Sequence, residues 1–243
     1  MTVNEGLYLI CFAIDRAKLV SFATARGTIP LSGDLGYAFH QVLNETFGAA
    51  APKPFHFFEE PDGQLVAYSP HDARQLNELA LRQREEVQAW TLASQALGLP
   101  SIEAHAFPAI WTAGMRYRFS VRTRPVCRIA NHRNRGLPRE CDVFLRAVAS
   151  KPDGSGRIDK EDVYTQWFRE QIPETAATLI SLRISRLSRI EVYRKGAPRL
   201  EGPDVTFSGI LQIGDAASFQ QWLRRGAGRH RAFGFGMILL AKA

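Results

Sequence analysis

Two residues suited to moving a proton lie in the stretch LGYAFHQVL: Tyr37 and, three positions on, His40. At about 100° per residue on a helix, Leu35, Ala38, Phe39, Val42, Leu43 and Thr46 form one apolar side. Tyr37, His40 and Asn44 fall roughly opposite. Residues three apart are neighbours on a helix surface. A histidine there can take or give a proton near neutral pH, and the phenol beside it can orient a reacting group. An ordinary surface histidine has the same pattern, so the pair alone does not establish catalysis.

A second stretch, GAGRHRAFGFGMILLA, runs from Gly226 to Ala241. Gly226, Gly228, Gly234 and Gly236 bracket Arg229, His230 and Arg231. Glycines let consecutive N–H groups face an anion, and the basic side chains add charge. The order GxxxxGK[ST] of a triphosphate loop is missing. A dinucleotide fingerprint needs a strand before the glycines and a helix after them, and here the signals are reversed. Two readings stay open: a backbone nest for a phosphate, or a glycine-rich turn into a last strand.

Charge is the third signal. The 243-residue chain carries a formal net charge of +7. No Asp or Glu occurs from Ala104 to Arg139, whereas Arg116, Arg118, Arg122, Arg124, Arg128, Arg133, Arg135 and Arg139 all fall there. Arg116, Arg118, Ser120, Arg122 and Arg124 alternate with Tyr117, Phe119, Val121 and Thr123. Strand side chains alternate faces, so the pattern predicts an arginine row backed by a core face. Such a row is either a solvated edge strand or a surface that meets phosphates. A second basic cluster, Arg183 to Arg199, includes Arg183, Arg186 and Arg189; a third contains Arg224, Arg225, Arg229 and Arg231. Arginine forks onto phosphate and stacks on bases, which suits RNA.

The elements that must position these residues follow from periodicity and caps. Leu7 to Ile14 reads as a buried strand, and Asp15 to Gly33 as a polar, basic connection containing Arg26. A helix follows, capped by Ser32 or Asp34 and stopped by Gly48. KPFHFFEE and QLVAYS are strands, His71 to about Leu97 is one long helix, and SIEAHAFPAIW is a strand. The second half repeats the order. RYRFSVRTRPVCRI is a strand, and Cys141 to Ala149 is strand or irregular. A helix is capped by Asp159, ATLISLRI, RIEVYR and DVTFSGILQI are strands, Asp215 caps a last helix, and GMILLA closes the chain. The expected class is α+β, with two tandem ferredoxin-like βαββαβ domains over residues 1–114 and 115–243.

Other chemistry finds no support. The three cysteines, Cys11, Cys127 and Cys141, form no disulfide framework, and a reduced, cytoplasmic setting is expected. Cys127, His132 and Cys141 lack the spacing of a zinc site; no metal and no cofactor is expected. The N-terminal apolar run has no basic stretch before it and is too short to span a bilayer, so no membrane partner is expected.

GAGRHRAFGFGMILLA resembles the C-terminal glycine-rich signature of the repeat-associated RNA-binding proteins of CRISPR systems. LGYAFHQVL resembles the active-site helix of the CasE-type repeat endoribonucleases, GMRYRFSVRTRP the strand that opens their second domain, and VTFSGILQIGDAASFQQWLRRGAGRHRAFGFGM their strand, helix and glycine loop. The resemblance implies two ferredoxin-like domains and recognition of the hairpin in precursor CRISPR RNA. It implies one metal-independent cut by 2′-hydroxyl attack, leaving a 2′,3′-cyclic phosphate. It also implies retention of the mature guide's 3′ hairpin alongside other effector-complex subunits. Carried over, His40 is the general acid or base and Tyr37 orients the nucleophile or phosphate. Arg124, Arg139 or Arg231 supplies positive charge, and the arginine row, the second cluster and the glycine loop grip RNA. The Asp15–Gly33 connection is longer than the family pattern and brings in Arg26 as a third catalytic candidate, which also fits a divergent type IV branch. A non-catalytic RNA-binding subunit, or a basic scaffold for an acidic protein, are the rival readings.

Overall fold

The computed structural model describes residues 6–27, 34–60, 63–82, 90–108, 111–129, 139–151, 157–192 and 200–243. The first half runs β1 (Tyr8–Ala13), α1 (Arg16–Ala25), α2 (Gly36–Phe47), β2 (Phe55–Phe58), β3 (Gln64–Ser69), α3 (Ala73–Arg82), α4 (Leu92–Ala96) and β4 (Ile102–Ala106). The second half runs β5 (Arg116–Thr123), β6 (Val126–Ile129), β7 (Arg139–Asp142), α5 (Val143–Ala149), α6 (Lys160–Arg169), β8 (Ala177–Val192), β9 (Leu200–Ile213), α7 (Ala216–Arg225) and β10 (Ile238–Lys242). Two four-stranded sheets form, ordered β2-β3-β1-β4 and β10-β5-β9-β8. In each half the strands stand fourth, first, third, second in reverse or forward order, and all neighbours are antiparallel. This is the ferredoxin-like arrangement expected from the element order.

Five local expectations change. The single strand expected over RYRFSVRTRPVCRI is two, β5 in the second four-stranded sheet and β6 paired with β7 in a separate two-stranded one. The stretch after Asp15 is a helix, not a connection: the Asp15 carboxylate accepts the Lys18 amide as an N-cap, and Leu19, Phe22 and Ala23 are buried. The expected long helix is described as α3 and the short α4, with residues 83–89 outside the described set. The segment after Cys141 becomes α5, because Asp142 caps it by accepting the Phe144 amide. The two strands expected between Ala177 and Arg194 are one, β8, whose bulges after Leu179 and Ile184 interrupt the alternation. Asp159 and Asp215 cap α6 and α7 as the sequence suggested.

Alternation decides what each sheet buries. On β1, Ile10 and Phe12 join Phe39, Val42, Leu43 and Phe47 under the first-half helices. Cys11 points the other way and, with Val66 and Tyr68, enters a core built from Phe119, Val121, Phe168, Phe207 and Trp222. That core spans both halves, and each buried aromatic contributes about 1.5–3 kcal/mol of apolar transfer. The Tyr68 hydroxyl donates to the Ile238 carbonyl at 2.6 Å, tying β3 to β10. No helix among the described residues is long and apolar enough to cross a membrane.

Candidate nucleic-acid interface

The first turn of α2 fixes the Tyr–His pair. Ala38, Phe39, Val42, Leu43 and Thr46 are buried, which turns Tyr37 and His40 outward. Asp34 accepts the Gly36 amide at 2.8 Å and steadies the helix start. Tyr37, His40 and Arg26 line one 220 Å³ depression, together with Phe22, Gln41, Asn44 and Glu45. The Gln41 amide donates to the Tyr37 hydroxyl at 3.1 Å. The Asn44 amide nitrogen lies 2.9 Å from His40 Nδ1. Arg26, at the C-terminus of α1, pairs with Glu45 across the depression. The helix that replaced the expected connection is therefore what delivers Arg26.

The glycine loop reaches this depression through one ring. Phe233 lies 4.9 Å from the His40 ring and 6.0 Å from that of Tyr37, between centroids. The approach requires a glycine at position 36, because a Cβ there would sit 2.3 Å from the Phe233 carbonyl oxygen. Phe233 also lines a 540 Å³ basin, with Lys53, Arg224, Arg225, Gly228, Arg229, His230 and Arg231. Burial, then the like charges of Arg225 and Arg229, push the Arg231 guanidinium below its usual range. A basin of cations that repel one another favours an anion.

The loop makes a tight turn into β10, one of the two readings left open. Gly226, Gly234 and Gly236 are buried, and Gly228 is half-buried. The amide of Ala227 donates to Gly236 O at 2.9 Å, and that of Gly236 to Arg122 O at 2.7 Å. Gly236 has φ 78°, and a Cβ on it would lie 2.3 Å from the Ala227 carbonyl oxygen. These glycines fold the loop tightly enough to present its side chains. His230, at φ 59°, is the left-handed residue other than glycine among those described. Its Nε2 lies 2.7 Å from Glu140 Oε2, and Arg229 Nε donates to Glu140 Oε1 at 2.8 Å. Burial alone would raise the Glu140 carboxyl, but the hydrogen bonds from His230 and Arg229 outweigh it and hold it at about 2.

The arginine row divides. Arg116 and Arg118 are exposed, while Phe119 and Val121 are buried behind them. Arg116 donates to Gln212, and on the same face of the next strand pair the exposed Arg183 donates to Ser208, each at 3.2 Å. Arg122 departs from the expectation: it pairs with Asp204 at 2.9 Å and Asp34 at 3.0 Å, and its guanidinium stands 4.4 Å from the Phe235 ring centroid. Arg124 departs further. It is 1% exposed, donates to Ile190 O, and fills space left by Gly202. Alternation ends at Thr123: Arg124 is buried like its neighbour and faces inward. Arg128 and Arg186 are exposed; Arg189 pairs with Glu201 and Asp142. Arg133 and Arg135, and the side chain of Arg139, lie outside the described residues. Arg122 and Arg186 border a separate 580 Å³ cleft between β2 and β8, which His56 also lines.

Sequence reasoning missed Glu140, Lys53, Phe233 and the role of Gly36. Phe233 stood inside the quoted loop and Gly36 inside the quoted helix, but nothing local says that they touch. No cluster of metal-ligating side chains occurs among the described residues.

Residues 7–242 match the family described as CRISPR associated protein. The fold is similar to that of CRISPR endoribonuclease Cse3 bound to 19 nt RNA, at TM-score 0.63 and 17% identity, covering 97% of this chain and 99% of that one. It is similar to CRISPR-associated protein Cas6e from Escherichia coli K-12, at TM-score 0.53 and 19% identity over 97% and 100% of the two chains. A chain of a CRISPR RNA-guided surveillance complex aligns at TM-score 0.51 and 14% identity over 97% and 100%. The comparison with curated proteins returned no match.

Proposed function

The chain belongs to the CRISPR-associated protein family, and from that premise we propose that it is an endoribonuclease of CRISPR repeat RNA that cuts without a metal ion and keeps its product. The observation that carries the reading is Phe233, which lines the cationic basin and whose ring packs against Tyr37 and His40, the pair that lines the depression. A phosphate held in the basin next to Phe233 lies beside a proton-transfer group. The similar fold of an endoribonuclease bound to RNA supports the same reading.

The chemistry asks three things of the protein. A proton leaves the 2′-hydroxyl as its oxygen attacks the adjacent phosphorus, and a proton reaches the departing 5′-oxygen. Charge builds on the phosphorane between these events. In this reading His40 exchanges one of these protons, and Tyr37, oriented by Gln41, places the phosphate. Arg231 supplies the charge. Arg124 is removed from that role by its burial; Arg26, which lines the depression and pairs there with Glu45, stays a candidate beside Arg231. Arg116, Arg118 and Arg183 grip the backbone of the hairpin stem. The surveillance complex with a chain of similar fold supports retention of the guide among other subunits.

A second reading is a non-catalytic RNA-binding subunit. The Arg26–Glu45 pair favours it, because the arginine on the wall of the depression already has its charge compensated within the protein. One experiment separates the two: repeat-hairpin RNA is incubated with the protein in EDTA, beside His40→Ala. Cutting by the native chain alone, with a 2′,3′-cyclic phosphate end, supports the first reading. Binding without cutting supports the second, and cutting that persists in His40→Ala removes His40 from the mechanism.

A further inference from the structure

Cys127 and Cys141 face one another across β6 and β7. Two positions along the same ladder the Val143 amide donates to the Pro125 carbonyl at 3.2 Å. Antiparallel partners alternate between hydrogen-bonded and non-hydrogen-bonded pairs, so Cys127 and Cys141 form a pair of the first kind, with Cα atoms about 5.5 Å apart. A disulfide bridges Cα separations of about 4.4–6.8 Å. Partners directly opposite also project to the same face of the ladder. The Cys127 thiol donates to the Cys141 carbonyl at 3.6 Å, so its sulfur already leans toward the other strand.

The surroundings favour reaction. Arg146 of α5 lines the same cavity as Cys127. A 490 Å³ cavity between α5 and α6, lined by Cys127, Val143, Arg146 and Trp167 among others, gives a small reagent access to the sulfur. Cys11 differs on each count: it is buried in the first sheet, and burial raises its thiol above the usual range.

We propose that Cys127 and Cys141 are a redox modification site, closing to a disulfide when a low-molecular-weight disulfide enters that cavity. The Cys127 thiolate attacks one sulfur of the reagent, and the other sulfur leaves as a thiolate that takes up the released proton. Cys141 then gives up its proton and attacks the Cys127 sulfur of the mixed disulfide, and the second reagent thiol departs. Two protein thiols are oxidised and one reagent disulfide is reduced to two thiols. The bond would pin β7, where Glu140, next to Cys141, holds Arg229 and His230. On the proposed reading of that loop as an RNA contact, oxidation fixes one wall of the RNA site.

The test does not involve RNA. The full chain is incubated with 2-hydroxyethyl disulfide, then denatured and alkylated, and its mass and peptide map are read. The expected result is an intramolecular Cys127–Cys141 cross-link, a mass lower by two hydrogens, and alkylation at Cys11 alone. Cys141→Ser, checked for native circular dichroism, retains the reagent as a mixed disulfide on Cys127. Alkylation of all three cysteines in the native chain, a reagent adduct that never closes, or a cross-link only between chains overturns the proposal.

Discussion

The two sheets have the same strand order, yet their helix-free faces are used differently. In the first, Cys11, Val66 and Tyr68 on that face are sealed into the core shared with the second half. In the second, the corresponding face leaves Arg116, Arg118, Arg183 and Arg186 exposed, with Ser120 and Ser208 between them. The sealed sheet is a rigid seat for α2, and the open sheet is a cationic surface. The ferredoxin-like topology dictates neither outcome. Apolar residues on one face close it, and arginines at the same positions keep it open. On the proposed function, the scaffold separates holding the Tyr37–His40 pair from gripping a polyanion, and that separation can be tested residue by residue.

The largest expected effect lies at the reactive pair. His40→Ala lowers the cutting rate by about 10²–10⁴-fold, the usual contribution of one positioned acid–base group, while affinity for the hairpin stays within twofold. Arg116→Ala with Arg118→Ala does the reverse: affinity falls and the salt slope drops by about 1 per arginine, while the cutting rate at saturating RNA is kept. Single-turnover cleavage and salt-dependent filter binding check both. If His40→Ala weakens binding as much as cutting, the division between the halves fails.

Next in size is the contrast within one strand. Arg116 is exposed, but Arg122 holds Asp34 and Asp204 together across the two halves. Arg122→Ala leaves two carboxylates with little compensation and costs about 3–5 kcal/mol of stability, read as a shift in the urea midpoint. Arg116→Ala, at the exposed end of β5, stays within about 0.5 kcal/mol. A comparable loss in both variants would mean that the strand does not divide between structure and surface.

How far the sequence revealed all this depends on the range of each interaction. The buried side of α2 and its outward Tyr37 and His40 follow from helical periodicity alone. The caps at Asp159 and Asp215 follow from local chemistry. α1 was hidden because Lys18, Ser21 and Thr24 interleave with Leu19, Phe22 and Ala23 and blur its apolar stripe. Bulges made β8 look like two strands, since each extra residue resets a period of two. Arg124 looked like the end of a surface row, but it lies past the last paired residue of β5 and is buried against Gly202, far along the chain. Glu140 carried no sign at all: its partners His230 and Arg229 are 90 and 89 positions away, and only tertiary structure brings them together.

Gly36 marks the junction of the two regions. Its absent side chain lets Phe233 O approach where a Cβ would be at 2.3 Å. Gly36→Ala must push α2 and the loop apart, at about 2–3 kcal/mol by analogy with overpacking. Cutting should fall more than binding, because Phe233 withdraws from His40 while Arg116 and Arg118 stay in place. An unchanged cutting rate in a folded Gly36→Ala would show that the Phe233 contact is dispensable.

The smallest effect concerns the cleft between the halves. Burial, and then the Arg122 charge, lower the His56 imidazole from its ordinary value to about 4. The folded chain therefore holds His56 neutral where the unfolded chain protonates it. The sign follows from linkage: the unfolded state binds the extra proton between about pH 6.5 and pH 4, so stability is complete above that window and declines as pH falls through it. A shift of this size corresponds to at most about 3 kcal/mol, and water reaching the half-buried ring reduces it to about 1 kcal/mol. His56→Gln removes the titrating group. Its stability curve, measured by urea unfolding from about pH 8 down to about pH 4, should lose that part of the decline, and the variant should gain on the native chain as acidity rises. The Glu140 carboxyl, held at about 2, contributes its own loss only as pH falls below its unfolded value near 4.5, so the two groups separate along the pH axis. Parallel curves for the native chain and His56→Gln would mean that the cleft admits enough water to charge the ring, and that the halves meet less closely there than at Arg122.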